Sequence, residues 1–229
     1  IMNRPQHPFT GVLLAAAALL LFAFMDACTK YLTALYPVPI VVAMRYLIHL
    51  GLMIVLVAPF HSKTMLQINR KKLVWLRGLC LVLVSLFMGL ALQRMPLPET
   101  TAIVFSAPLI VAVLAAPVLQ EKIGALGWLA VLMGFTGVVI VARPGSGLDS
   151  WGIVFAFLAA ASGATYQMMS RVLAKTENAS AMLFYGALIG SIIFGLTFPI
   201  FWQGTTPTSL DISLFLFMGA AGGFGHYLF

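Results

Sequence analysis

The chain contains apolar stretches that recur from end to end, each long enough to cross a lipid bilayer as a helix. A spanning helix needs about 20 consecutive, mostly apolar residues. We predict eight such segments, at residues 10–32, 39–59, 73–93, 98–119, 124–142, 151–173, 180–202 and 210–229. With 62% hydrophobic and 8% charged residues, the 229-residue chain lacks the composition of a soluble globular domain. Since the sequence also lacks the alternation of barrel strands, we predict an all-α polytopic membrane protein.

Lysine and arginine residues are divided unevenly between the two predicted membrane faces. With a cytoplasmic amino terminus, the inner face holds Arg4, Lys63, Arg70, Lys71, Lys72, Arg77, Lys122, Arg171 and Lys175. The outer face holds only Lys30, Arg45, Arg94 and Arg143. This bias is typical of proteins of the bacterial inner membrane, where inner basic residues such as Arg77 are expected to reach lipid headgroups. The net charge of +7 therefore does not indicate nucleic-acid binding.

The chain resembles itself at an offset of 141 residues. Residues 11–15 (GVLLA) align with residues 152–156 (GIVFA), Ile48 with Ile189, and Gly78 with Gly219. Five predicted segments separate the two starting points, so the second copy would enter the membrane from the opposite side. Inverted repeats of this kind recur in secondary transporters. Coincidental similarity between alanine-rich helices is the alternative.

The two copies differ in length. The first would comprise residues 1–146 with five segments, and the second residues 147–229 with three. A complete second copy would need two more helices. We therefore expect eight of ten helices in this chain, with the second repeat incomplete.

Several segments resemble the EamA family of the drug/metabolite transporter superfamily. They are residues 89–103 (GLALQRMPLPETTAI), 105–109 (FSAPL), 119–122 (LQEK), 134–138 (GFTGV) and 143–144 (RP), with residues 26–30 (DACTK) and 45–46 (RY) near the start. The resemblance implies ten helices in two inverted five-helix repeats around a central substrate cavity. It also implies that both termini are cytoplasmic.

Asp26 lies inside the first apolar segment, where a carboxylate costs about 2–3 kcal/mol even on lenient insertion scales. Lys30 follows one turn later on the same face, in an order that favours pairing. Arg45 reaches a similar depth in the second segment, and Gln93 lies at the outer end of the third. Two interpretations are open. These residues form either an ion-pair network that closes the outer side, or a site for protons or a substrate carboxyl group.

Two histidines are predicted at membrane depth, His49 near the midplane and His226 in the inner half of the last segment. Each either titrates near neutral pH or is hydrogen-bonded to a neighbouring carbonyl. Tyr166 and Gln167 are the repeat equivalents of Met25 and Asp26. Gln167 either contributes to an inner gate or bonds to a neighbouring helix.

The fourth segment contains Pro108 and Pro117, each of which frees a backbone carbonyl. Those carbonyls need partners such as Ser106, water or a ligand, which is typical of a cavity wall. Kinks that only shape helix packing are the alternative. Phe105 and Tyr166 are candidates for stacking on a planar substrate, with core packing as the alternative.

The sequence contains no nucleotide-binding loop, catalytic triad or metal-ligand pattern, so we predict no enzymatic activity, cofactor or metal site. The predicted function is a secondary active transporter that moves a small organic metabolite across the inner membrane by alternating access. An amino acid, a vitamin, a nucleoside-like compound and a drug-like compound all fit. The alternatives are an intramembrane lipid-modifying enzyme and a structural or assembly subunit. Coupling to protons or a counter-substrate, contacts with membrane lipids, and a homodimer are further expectations.

Overall fold

The computed structural model describes residues 8–119, 124–142, 147–202 and 204–228. These residues form helices α1 (Pro8–Leu35), α2 (Val38–Leu52), α3 (Ala58–Leu66), α4 (Lys71–Arg94), α5 (Leu97–Val104), α6 (Ala107–Leu119), α7 (Ala125–Ala142), α8 (Ser150–Leu173), α9 (Ala179–Phe201) and α10 (Ser209–Leu228). A π-helical turn, Met53–Val57, joins α2 to α3. No strand occurs within the described ranges, which confirms the predicted all-α class.

Six helical segments in the described part of the chain are long and apolar enough to cross a membrane. They are Ala16–Leu35, Val38–Phe60, Lys71–Arg94, Leu97–Leu114, Ser150–Leu173 and Ala179–Phe201. Helix α7 is a shorter apolar helix, and α10 coincides with the last segment predicted from the sequence. That α7 and α10 also cross the membrane stays a prediction.

Prolines coincide with both interruptions of the predicted segments. Pro59 follows the π-helical turn and offers no N–H to the Val55 carbonyl, four residues earlier. Pro108 lies at the start of α6 and likewise leaves the Val104 carbonyl, the last residue of α5, without its helical donor. The second and fourth predicted segments are therefore interrupted helices. The side chain of Pro117 and residues Arg4, Lys122, Arg143 and Pro144 lie outside what the structure describes.

Helix pairs build the bundle: α4 packs along α8, α2 along α9, and α1 along α10. Glycines allow close approach at these interfaces, for example where Gly152 receives the side chain of Met95 and Gly190 receives the ring of Tyr46. Large apolar side chains point outward instead, with Phe60 81% and Leu196 74% exposed. Small residues inside and large apolar residues outside are the pattern expected of a bundle surrounded by lipid.

Two carboxylates fasten interhelical connections at opposite ends of the bundle. Near the C-terminal end of α4, the Tyr36 hydroxyl donates to Asp211 Oδ2 (2.9 Å). At the N-terminal end of α4, the Glu177 carboxylate accepts two backbone hydrogen bonds. The Asn69 N–H donates to Oε2 (2.9 Å) and the Arg70 N–H donates to Oε1 (2.9 Å). Hydrogen bonds to ionised acceptors are roughly twice as strong as neutral ones. These contacts therefore hold the α1–α2 turn against α10 and the α8–α9 turn against α4.

Candidate functional site

A polar cluster lies between α2 and α4 in the interior of the apolar bundle. Arg45 Nη2 donates to Ser85 Oγ, and the Tyr46 hydroxyl lies 2.7 Å from the same oxygen. Ser85 in turn donates to the Leu81 carbonyl (2.8 Å), and the Arg45 guanidinium stacks 4.7 Å from the centre of the Tyr46 ring. These contacts orient the arginine while leaving part of its guanidinium available. We name Arg45, Tyr46 and Ser85 the Arg45 cluster.

Asp26 of α1 faces the Arg45 cluster without closing an ion pair. Its carboxylate and Arg45 are close enough to interact electrostatically. Within the described part of the chain, however, Asp26 makes no hydrogen bond or ion pair, and the one salt bridge found there joins Arg94 and Asp149 (3.5 Å). Asp26 and Arg45 are both half-buried, so the carboxylate can contact the positive charge of a zwitterionic ligand while the guanidinium contacts its negative charge.

Lys30 does not pair with Asp26, contrary to the pairing that the i,i+4 spacing suggested. Its ammonium donates instead to the carbonyls of Leu92 (2.5 Å) and Met95 (2.8 Å) at the end of α4. The last carbonyls of a helix have no intrahelical donor and attract cations. Lys30 therefore joins α1 to α4 and leaves the Asp26 carboxylate free to face Arg45.

Arg77 lies in the interior and not at the lipid headgroups, so the expectation of a headgroup contact was wrong. Only 4% of its surface is exposed. Nε donates to Ser170 Oγ (2.7 Å), Nη1 to the Met182 carbonyl (2.9 Å) and Nη2 to the Tyr166 hydroxyl (2.8 Å). The side chain of Arg77 connects α4 with α8 and α9. The buried location of Arg77 could have been predicted from its place in the helix, since it lies six residues after the start of α4, about 9 Å along the axis.

Tyr166 and His226 meet beside Arg77. The Tyr166 hydroxyl lies 3.3 Å from His226 Nδ1, and the His226 ring packs 4.9 Å from the ring of Phe22. Arg45, Arg77 and His49 are near enough to His226 to interact electrostatically with it. The structure thus brings together two residues that the sequence predicted only separately.

His49 is buried, with 6% of its surface exposed, and its Nε2 has no hydrogen-bond partner among the described residues. It lines a cavity of about 210 Å³ between α2, α9 and α10. The predicted alternative, in which a neighbouring carbonyl accepts from the histidine, therefore does not apply to Nε2.

The other residues predicted from the sequence lie away from the Arg45 cluster or are simply packed. Gln93 is exposed at the end of α4, where Nε2 donates to the Thr33 carbonyl (3.3 Å). Phe105 is 58% exposed at the break between α5 and α6, and Pro108 is exposed next to it. Ser106 is buried with an unpartnered Oγ. Gln167 is half-buried on α8.

The Arg45 cluster contains residues that sequence reasoning missed. Tyr46 was noted only beside Arg45 in the family resemblance, and Ser85 was not noted, because a tyrosine and a serine are unremarkable in apolar segments. Their importance comes from Arg45, since a half-buried guanidinium inside an apolar bundle needs acceptors that its own helix does not supply. A search for hydroxyl groups at matching depth on neighbouring segments could have found Ser85.

Apolar spans with charged and polar side chains buried between them define a multi-pass membrane protein. The chain belongs to the EamA-like transporter family, whose pattern matches residues 9–143. This confirms the resemblance seen in the sequence. The family is one of transporters and not of enzymes, in agreement with the prediction of no enzymatic activity.

The chain is similar to proteins named as transporters of different metabolites. The S-adenosylmethionine uptake transporter of Rickettsia prowazekii (strain Madrid E) is 28% identical over 166 residues, which cover 72% of this chain and 55% of the relative. The riboflavin transporter of Vibrio cholerae serotype O1 is 24% identical over 193 residues, covering 82% and 64%. The riboflavin transporter of Rhizobium johnstonii is 23% identical over 228 residues, covering 98% and 74%. The match therefore spans about half of the Rickettsia protein.

A solved crystal structure shares the fold. It superposes with a TM-score of 0.74 at 20% sequence identity, covering 95% of this chain and 77% of that chain. At this identity the likeness shows the arrangement of helices alone.

Proposed function

We propose that this chain forms the substrate-binding core of a secondary active transporter in the bacterial inner membrane, with a cytoplasmic amino terminus. The observation that carries the proposal is the Arg45 cluster facing Asp26 inside an apolar bundle. Charged side chains at membrane depth are costly and mark pathways for polar solutes. A scaffold without a transport role would gain more from apolar packing at these positions.

Reciprocal contacts support an inverted repeat, with residues 1–146 as the first copy and 147–229 as part of the second. Gly78 of α4 packs against Ile189 of α9, and Gly219 of α10 packs against Ile48 of α2. Adding 141 to Gly78 gives Gly219, and subtracting 141 from Ile189 gives Ile48, so the repeat relates each contact to the other. The repeat makes α8, α9 and α10 the equivalents of α1, α2 and α4. Helix α4 packs on α8 and α9, and its equivalent α10 packs on α1 and α2. Such symmetry permits two mirrored conformations with exchanged access.

The two carboxylate contacts at the bundle ends supply a gate for each side. Tyr36 and Glu177 differ by 141 residues, and so do Arg70 and Asp211. The Tyr36–Asp211 contact therefore corresponds to the Glu177–Arg70 contact at the opposite end. In alternating access, we propose that the first opens toward the outside and the second toward the cytoplasm. The two gates use different donors, a tyrosine hydroxyl and a backbone N–H, so a substitution can change the stability of one gate without changing that of the other.

The substrate is a small organic metabolite. The named relatives move S-adenosylmethionine and riboflavin, and both compounds carry a flat heteroaromatic ring with a polar extension. We propose a compound of that kind for this chain, with its polar extension at Arg45 and Asp26. Proton or counter-substrate coupling, lipid contacts and a homodimer belong to the same proposal.

Transport by the purified protein in liposomes tests the proposed function. Saturable movement of labelled S-adenosylmethionine or riboflavin down an imposed gradient, strongly reduced in Arg45→Gln, is the expected result. Liposomes with Leu196→Ala, which alters an outward-facing side chain, provide the matched control. If neither of these compounds nor other small metabolites were moved, or if a lipid were modified instead, the proposal would fail.

A further inference from the structure

The cavity beside the π-helical turn, named here the His49 pocket, is walled by apolar side chains. They include Leu52, Met53, Leu183 and Phe224, with His49 at one side. Among the described residues that line it, none carries a permanent charge. An apolar cavity of about 150 Å³ is large enough to bind benzene. At about 210 Å³, the His49 pocket has room for a larger ring system.

His49 supplies the one unpaired polar atom of this pocket that the described residues bury. The imidazole lies against Gly223, where an added Cβ would stand 2.8 Å from Cδ2 and 2.9 Å from Nε2. Glycine at this position thus admits the ring at close range, while offering no side chain as a hydrogen-bond partner for Nε2. A buried polar nitrogen without a partner is destabilising. A ligand atom that bonds to Nε2 would remove this cost.

The backbone around the pocket is also unusual. Met53, a wall residue, begins the π-helical turn that runs to Val57, directly after α2. Single π-helical turns inside α-helices occur frequently at functional sites. The pocket therefore combines three independent features: an apolar space, a buried unpaired nitrogen and an altered helical geometry.

We propose that the His49 pocket binds the neutral heteroaromatic ring of the transported molecule, with a ring nitrogen or oxygen hydrogen-bonded to His49 Nε2. This inference rests on the proposed function and names the part of the substrate that enters the membrane interior. Arg45 stands one helical turn from His49, about 6 Å along α2. That distance places the polar extension of the same molecule at Arg45 and Asp26.

Chemistry favours a ring over other occupants. A lipid acyl chain would fill the apolar space but leave Nε2 unpaired. A charged group would find no counter-charge among the described wall residues and would lose its hydration. A flat ring with a hydrogen-bonding atom would pack against the apolar walls and also form a hydrogen bond with His49 Nε2.

Filling the pocket is the direct test. Ala220 lines it, and Ala220→Phe would occupy the space intended for the ring. Leu216→Phe adds a phenyl group one turn earlier on the same helix, at a site that is 54% exposed and outside the pocket. Binding of riboflavin and of adenosine is measured by fluorescence and calorimetry on the purified protein. Lumichrome and adenine, which keep the rings, serve as competitors.

We expect Ala220→Phe to weaken binding of the ring compounds about tenfold or more, because small losses of contact in an apolar pocket have effects of that size. Competition by the bare rings disappears in this variant, whereas Leu216→Phe binds like the wild type. His49→Leu weakens binding, and His49→Gln, which keeps hydrogen-bonding groups, retains more of it. Thermal unfolding of each variant confirms that it is folded.

The outcomes separate this inference from the proposed function. Transport of riboflavin or S-adenosylmethionine with unchanged KM in Ala220→Phe would overturn the pocket assignment and leave the transporter intact. Equal inhibition by ribitol, which has no ring, and by lumichrome would also overturn the pocket assignment. Absence of all transport and binding in the wild type would overturn both the pocket assignment and the proposed function.

Discussion

The Tyr36 hydroxyl donates a 2.9 Å hydrogen bond to Asp211, so the turn after α1 is fastened to the first turn of α10. Burial, and then the hydrogen bond to Asp211, raise the pKa of Tyr36 above its usual value of about 10. The proton on Tyr36 is thus held more tightly in the folded state than in the unfolded state. The associated stability is present below pH 10 and is lost as the pH rises through the raised pKa.

Tyr36→Phe should remove this pH dependence. We expect the melting temperature of the wild type to fall more steeply than that of Tyr36→Phe between about pH 10 and the raised pKa. Melting temperatures from pH 7 upward, measured in detergent, provide the comparison. Tyr185→Phe removes a hydroxyl whose hydrogen bond to the Leu66 carbonyl is exposed, and its melting temperature should depend on pH as that of the wild type does. Parallel curves for wild type and Tyr36→Phe would rule out a stabilising role for this hydroxyl proton.

Glu177→Ala should loosen the opposite end of the bundle. The carboxylate accepts two backbone N–H groups, from Asn69 and Arg70, which lose their partners in the variant. Hydrogen bonds to a charged group contribute about 1.5–3 kcal/mol each, so the closed state of this gate should become about tenfold less favoured or more. Lys175→Ala, an exposed change in the same turn, is the control.

Thiol labelling reads out this gate. Ser180 lines the His49 pocket near the start of α9. The variant Ser180→Cys, in a background of Cys28→Ala and Cys80→Ala, reports access from this side. We expect faster labelling in Glu177→Ala and slower labelling in Tyr36→Phe, because opening one side excludes opening the other. Faster labelling in both variants would contradict alternating gates.

Gly219→Ala should destabilise the protein more than its repeat equivalent Gly78→Ala. An added Cβ at Gly219 would lie 2.6 Å from the Ile48 Cβ and 3.3 Å from the Arg45 carbonyl, both of which are held by the backbone. At Gly78 the new methyl group would meet the end of the Ile189 side chain, which can rotate away. Overpacking costs about 1–3 kcal/mol, and we expect Gly219→Ala near the top of that range.

Unfolding midpoints of the two glycine variants check this difference, and Gly137→Ala, where an added Cβ meets nothing within 4 Å, is the control. Ile48→Ala should restore only part of the stability of Gly219→Ala, because it removes the Ile48 Cγ2 but leaves the Ile48 Cβ 2.6 Å from the added methyl group. A larger loss at Gly78 than at Gly219 would refute the difference in packing.

Sequence reasoning located the helices because a spanning segment needs only length and apolar composition, which are local properties. The predicted segments 73–93, 151–173 and 180–202 agree closely with α4, α8 and α9. The π-helical turn at Met53–Val57 was missed because a continuous apolar run hides a change of helical period. Pro59 was the local signal that could have indicated it.

The candidate site was harder to predict because partners depend on which helices are neighbours. The spacing of Asp26 and Lys30 suggested an ion pair, yet Lys30 reaches the carbonyls at the end of α4. Arg77 was assigned to the membrane surface from its place near a helix end, although Ser170 and Tyr166 on α8 hold it inside. In both cases the helix that faces the residue was not available from the sequence, so its partners could not be predicted.

Tyr166→Phe should lower stability, because it leaves Arg77 Nη2 without its hydroxyl acceptor in a buried site. An unsatisfied buried group of this kind costs about 1–3 kcal/mol. Tyr185→Phe is the matched control, since its hydroxyl makes an exposed hydrogen bond to the Leu66 carbonyl (3.2 Å) and its loss should cost about 0.5 kcal/mol or less. Denaturant unfolding in detergent measures both variants. Equal losses would show that Arg77 does not depend on Tyr166.

Asp26 and Arg45 should show energetic coupling in a double-mutant cycle. Asp26→Asn and Arg45→Gln each leave one charge without its counterpart inside the apolar bundle, whereas the double variant leaves neither. We therefore expect the double variant to lose less stability than the two single variants combined, by about 0.5–3 kcal/mol. The free energy of unfolding of all four proteins is measured in the same detergent.

The cycle of Asp26→Asn with Lys30→Gln is the decisive control. Lys30 donates to the Leu92 and Met95 carbonyls, so its removal should be additive with removal of the Asp26 charge, within about 0.3–0.5 kcal/mol. The same variants tested for substrate affinity should show coupling between Asp26 and Arg45 when the substrate is a zwitterion, because one molecule then contacts both charges. Coupling to Lys30 in place of Arg45 would mean that Asp26 belongs to the α1–α4 contact and not to the substrate site.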